Sequence, residues 1–148
     1  MTIAVDVSAD GVRSPLSRVR SADIAVRTLR EEGVRDAMVS IAFVSNRAIS
    51  TLNKRHLGHR GPTDVISFGF NRPVPAAPVV GDIYIAPDVA RANARQHGSG
   101  VREEIARLIV HGVLHVLGHE HPEGTRTRSS MWQRQEQLLA GMPGFLAR

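Results

Sequence analysis

Apolar and polar residues alternate from Thr2 to Ser8, with Ile3, Val5 and Val7 on one face, which predicts a first β-strand that Gly11 interrupts. From about Pro15 to Glu32 the period changes to that of a helix. Leu16, Val19, Ala22, Val26 and Leu29 recur on one stripe, arginines occupy the other side, and Gly33 supplies the terminal cap. Ala37 to Val44 reads as a second strand, and Ser45 or Asn46 caps a short helix over Ala48 to Lys54. The stretch Leu52 to Gly61 is a basic loop with two glycines, and Pro62 onward becomes a strand that runs through Phe70. Arg72 to Pro78 is a proline-rich connection, followed by a strand over Val79 to Ala86. Pro87 opens a helix that reaches about Gln96, with Asp88 charging its first turn.

After Gly98-Ser99-Gly100 the pattern changes character. Glu103 and Glu104 suit a helix N-terminus, and then Leu108, Ile109, Val110, Val113, Leu114, Val116 and Leu117 form an almost unbroken apolar run. A helix with so little polar surface is buried nearly all round. Pro122 prevents its immediate resumption, and Thr125 to Ala140 reads as a last helix whose Met131, Gln135, Leu138 and Leu139 are spaced to cover the preceding one. Met131 and Trp132 read as packing residues. Four strands interleaved with about five helices predict an α+β (α/β-like) fold, a single domain over 1–148 with one mixed four-stranded sheet. No internal repeat, low-complexity segment or domain boundary interrupts it.

Composition narrows the chemistry. The chain has 148 residues, 42% of them hydrophobic, and no cysteine, so disulfides and thiolate ligands are excluded and any metal must be held by His and carboxylates. No run approaches the ~18 apolar residues of a membrane span and no signal-like segment follows the start, so a cytoplasmic product is expected. A formal net charge of +5 suits a polyanionic partner. Lys54 is the only lysine, and arginine binds phosphate bidentately and stacks on bases. With only 4% aromatic residues there are few stacking platforms of the kind a dedicated single-strand binder uses.

The buried helix carries the candidate chemistry. His111 and His115 are i and i+4, one turn apart on the same helix face. Gly118 allows a left-handed exit from the helix, which would swing His121 back toward them. Burying imidazoles without partners would cost on the order of 1–3 kcal/mol each, a penalty that a shared metal removes. Three histidines leave a fourth position for water, the arrangement of hydrolytic rather than structural zinc centres. Three nitrogen ligands suit Zn2+, and nickel or copper would also bind.

The spacing of His111, His115, Gly118 and His121 is that of the metzincin proteases, which carry a glutamate as general base directly after the first histidine. Here that position is Gly112, which cannot accept a proton. His111-Gly112-Val113-Leu114-His115 with Gly118-His119-Glu120-His121 instead resembles the signature of the YbeY family, His-Gly-x-Leu-His-x-x-Gly-x-Asp-His, with Glu120 where Asp is usual and His119 where an aromatic residue is common. Pro62-Thr63-Asp64-Val65-Ile66-Ser67-Phe68 is similar to the family's Pro-Thr-Asp-Val-Leu-Ser-Phe segment, and Gly81-Asp82-Ile83-Tyr84-Ile85 to its Gly-Asp-Ile-x-Ile segment.

The resemblance implies a zincin-like metal helix and a single-strand-specific, metal-dependent endoribonuclease. Such an enzyme acts in maturing the 3′ end of small-subunit ribosomal RNA and in ribosome quality control. Its partners would be ribosomal RNA and the small subunit, with ribosomal proteins or assembly factors possible and no DNA expected. His111, His115 and His121 would hold one ion. Leu57 stands where well-known members carry an arginine, which makes Arg55 and Arg60 the candidates for phosphate contact. Candidate general bases are Glu120, Asp64 and Asp82, the last of which reads more readily as a structural carboxylate. Two other readings stay open: a peptide or amide hydrolase using the same metal, disfavoured by Gly112, and a non-catalytic ribosome assembly factor with a structural metal, favoured by Leu57.

Overall fold

A computed structural model describes residues 2–120 and 129–142. In chain order the elements are β1 (Ile3–Ala9), α1 (Arg18–Glu31), β2 (Ala37–Phe43), α2 (Asn46–Leu52), a π-helical turn (Asn53–Leu57), β3 (Val65–Phe70), β4 (Val79–Ile85), α3 (Pro87–His97), α4 (Val101–Val116) and α5 (Ser130–Ala140). The strands form one mixed sheet in the order β1-β2-β4-β3. β1, β2 and β4 run parallel, and β3 lies antiparallel to β4 at one edge.

The alternation read from the sequence decides which face each strand buries. Val39, Ile41 and Phe43 of β2 and Val79, Ile83 and Ile85 of β4 point into the main core, where they meet Ile24 and Leu29 of α1 and Ile105, Leu108 and Ile109 of α4. Intervening residues face the other way. There Ile66 of β3 joins Val44, Ile49 and Ala86 in a second apolar cluster, with Phe68 and Tyr84 packed against it. α4 therefore lies across the sheet near its β3 edge, buried from Glu104 to Leu114 except at Arg107. Met131 packs into the core, as its helical spacing predicts.

Two local expectations are corrected. α1 begins at Arg18 rather than Pro15, with the Ser17 side chain accepting the Arg20 amide hydrogen. Its buried stripe is Ser21, Ile24, Ala25, Thr28 and Leu29, whereas Val19 is 79% exposed. Thr28 can occupy a core position because its hydroxyl is satisfied within the helix, Oγ1 donating to the Ile24 carbonyl at 2.8 Å. The second correction is the π-helical turn. The chain from Asn53 to Leu57 makes a wider turn ending at Gly58, and buried Asn53 donates through Nδ2 to the Gly61 carbonyl at 3.0 Å. This fold pins the root of the basic loop while leaving its cationic side chains outside.

Candidate metal centre

Three glycines bring α4 onto the sheet. A Cβ on Gly112 would come within 2.8 Å of Ile83 Cγ2 and 3.1 Å of Ser67 Oγ, so this position faces β3 and β4 at close range. Gly69 and Gly81 are register partners on those strands, and both lie under Val116. A Cβ on Gly81 would approach Val116 Cγ1 to 2.5 Å, and one on Gly69 would approach the Val116 carbonyl oxygen to 2.6 Å. Gly112 thus lacks a side chain for a steric reason as well as lacking a base. A side chain there would have to push the Ile83 side chain aside.

This close seating fixes the helix end that carries the imidazoles. The rings of His111 and His115 lie edge to face, with centroids 4.6 Å apart. His111 is 4% exposed, whereas His115 is half-buried at the rim. A cavity of about 400 Å³ opens beside His115, bounded also by Glu120, Arg72, Asn71 and Gly118 among others. A neighbouring cavity of about 510 Å³ shares Arg72 and Leu117 and continues toward Glu32 and His119.

The helix ends in a tight reversal. The Gly118 amide donates to the His115 carbonyl and the His119 amide to the Leu114 carbonyl, both at 2.9 Å, and Gly118 adopts φ 96°. Only a residue without Cβ adopts that backbone at no cost, so the chain turns where the sequence predicts. His119 then reaches Glu32, with Nε2 2.8 Å from Oε1, while Arg134 Nε donates to Glu32 Oε2 at 2.9 Å. One carboxylate thus ties the exit from α4 to the end of α1 and to α5. His121 lies outside the described residues, as does the start of the predicted last helix. Among the described residues no group of three or more His, Cys, Asp or Glu side chains is placed to hold a metal.

The buried ring of His111 meets Gln135 of α5, with Nδ1 2.7 Å from Oε1. Gln135 itself is fully buried. Its Nε2 donates to Glu136 Oε2 at 3.0 Å, and Glu136 is gripped by Arg107 through Nε at 2.9 Å and Nη2 at 3.1 Å. Burial pushes the Glu136 carboxyl up, but the hydrogen bonds from Arg107 and Gln135 and the Arg107 charge outweigh it and hold it below the usual range. Burial pulls the Arg107 guanidinium down, yet the Glu136 hydrogen bond and the charges of Glu136, Glu103 and Glu104 raise it above its ordinary value. The sequence places Gln135 over the site by helical spacing, but nothing in it marks the hydrogen bond. The donor set fits a divalent transition metal: a neutral imidazole whose Nδ1 faces an acceptor keeps its lone pair at Nε2, and His115 stands one turn further along.

The remaining candidates are dispersed. Arg55 and Arg60 are exposed on and after the π-helical turn. That turn is anchored by His56, whose ring stands edge-on to Phe68 at 5.1 Å, and no hydrogen bond or ion pair among the described residues holds either guanidinium. Asp82 accepts from Ser40 Oγ at 2.7 Å across the sheet. It occupies the face opposite α4, so the structural reading of this carboxylate holds and it is removed from the candidate bases. Asp64 Oδ1 accepts the Val65 amide at 2.8 Å, and its Oδ2 meets Asn93 of α3. Both contacts seat the start of β3. Glu120 is exposed and borders the His115 cavity.

Comparison with known proteins agrees with this architecture. The family model for "Endoribonuclease YbeY" matches residues 14–143. A protein of that name from Frankia casuarinae is 36% identical, covering 96% of this chain and 76% of its own length. One from Carboxydothermus hydrogenoformans is 41% identical over 78% of each chain, and one from Bacillus licheniformis is 33% identical over 94% of each. The solution structure of TM1509 from Thermotoga maritima superposes with a TM-score of 0.63 at 21% identity, covering 95% of this chain and 89% of the other, which shows the shared fold. Among the described residues no helix is long and apolar enough to cross a membrane. With its sheet order, its histidine-bearing helix and a family match across nearly its whole length, the chain belongs to the endoribonuclease YbeY family.

Proposed function

We propose that this protein is a metal-dependent endoribonuclease that cuts single-stranded RNA, acting in the cytoplasm on ribosomal RNA during small-subunit maturation and quality control. The observation that carries this reading is the His111–His115 pair, set edge to face with His115 lining an open cavity, on a helix that has glycine where a peptidase would carry its general base. His111, His115 and His121 would hold the ion, with zinc the best match to three imidazoles. When bound, such an ion supplies Lewis-acid polarisation of a phosphoryl oxygen and lowers the pKa of its water toward about 7.

The chain's own groups position the substrate. Arg55 and Arg60, exposed on the basic loop, hold backbone phosphates, and Arg72 borders the cavity itself. Peptide hydrolysis is disfavoured because Gly112 offers no carboxylate where that chemistry requires one.

Untagged protein is expected to cleave a labelled single-stranded RNA and to spare the matching duplex and a peptide substrate. Chelation should abolish the cleavage and added zinc should restore it. Arg55→Ala with Arg60→Ala should raise KM and flatten the salt dependence of RNA binding by roughly 0.7 log units for each phosphate no longer neutralised. Cleavage that persists after chelation, or a salt slope unchanged in the double variant, would contradict the respective assignment.

A further inference from the structure

Between α4 and α5 a polar chain runs from the partly exposed Arg107–Glu136 pair inward to buried Gln135 and His111. A carboxylate held by a two-pronged guanidinium can only accept hydrogen bonds. The Gln135 amide must therefore turn its NH2 toward Glu136, which leaves its oxygen facing the imidazole. A ring nitrogen 2.7 Å from an amide oxygen must carry the proton. We propose that Gln135 is a positioning residue that holds His111 as the Nδ1–H tautomer, with the Arg107–Glu136 pair acting through the amide to prevent its inversion. The Nε2 of His111 thereby keeps its lone pair before any ion arrives.

The metal consequence rests on the ligand reading above, whereas the tautomer assignment is a property of the metal-free protein. The energetic logic is one of selection between two neutral forms. Were the amide free to rotate, His111 could accept from its NH2, and Nε2 would then carry the proton and repel a cation. Both Gln135 and His111 are buried, so water does not readily substitute for the amide oxygen.

Long-range nitrogen–proton NMR on metal-free wild-type protein is expected to show His111 with its proton on Nδ1. Gln135→Leu should release the ring into a mixture of tautomers and weaken zinc binding by roughly 10–100-fold, measured against a chromophoric competitor. The exchange variant Gln135→Glu with Glu136→Gln keeps an acceptor at the ring and a partner for Arg107, and it should restore zinc affinity to within a few-fold of wild type. An Nε2–H tautomer in wild type would overturn the proposal without any variant having to fold. An unchanged tautomer and unchanged zinc affinity in folded Gln135→Leu would overturn it as well. If wild type binds no zinc but His111 is protonated at Nδ1, the ligand reading falls and the positioning role of Gln135 stands.

Discussion

Replacing His115 by Ala is expected to eliminate RNA cleavage while leaving the protein folded. The ring is half-buried at the rim of the cavity near the end of α4, and Ala is the strongest helix former, so unfolding stability should change by no more than about 1 kcal/mol. Metal-ion stabilisation of a phosphoryl transition state is worth several kcal/mol, and 1.36 kcal/mol is a factor of ten in rate. The turnover of single-stranded RNA should therefore fall by at least about 100-fold. Parallel measurements of cleavage rate, bound metal and thermal unfolding decide the matter. A reading in which the ion serves only to hold the fold predicts the opposite pattern, with collapse of the structure or loss of metal and no change in cleavage above background.

The second large effect is steric. Gly69→Ala would place a methyl carbon 2.6 Å from the Val116 carbonyl oxygen and 3.2 Å from its Cα. These are backbone atoms of α4, which no rotamer change can move aside. The helix end must lift from β3 and carry His115 with it. Overpacking of this kind costs typically about 1–3 kcal/mol, which denaturant unfolding should detect, and zinc affinity should drop in parallel. Gly141→Ala is the matched control, because its added Cβ meets nothing closer than the Leu138 carbonyl oxygen at 3.4 Å. Equal stability of the two variants would show that the glycine bed beneath α4 does not hold the histidines in place.

What can be read from the residues alone follows from the range of the forces involved. The strands and α4 announce themselves because burial imposes a period of two on β2 and β4 and an almost unbroken apolar run on a helix covered on most sides. The i, i+4 histidines and the reversal at Gly118 are equally local, and the structure places both as their spacing implies. α1 misleads because Val19 advertises an apolar stripe that the helix turns to solvent, while Ser21 and Thr28 enter the core. The π-helical turn has no periodic signature. Gln135 and His111 are separated by 24 residues, and the partnership exists only because α5 folds back over α4. Asp82 finds Ser40 only through the register of two parallel strands. Gly69 and Gly81 stand out as glycines inside strands, a signal of close backbone approach, but which element approaches depends on the sheet order.

The proposed chemistry requires one divalent ion held by His111, His115 and His121 with a coordination position open to solvent. X-ray absorption at the zinc edge on untagged, zinc-loaded protein, combined with elemental stoichiometry, tests that requirement most directly. The expected result is one zinc per chain bound by three imidazole nitrogens at about 2.0–2.1 Å and one oxygen from solvent. A site closed by four protein ligands, or a zinc content well below one per chain, would contradict it.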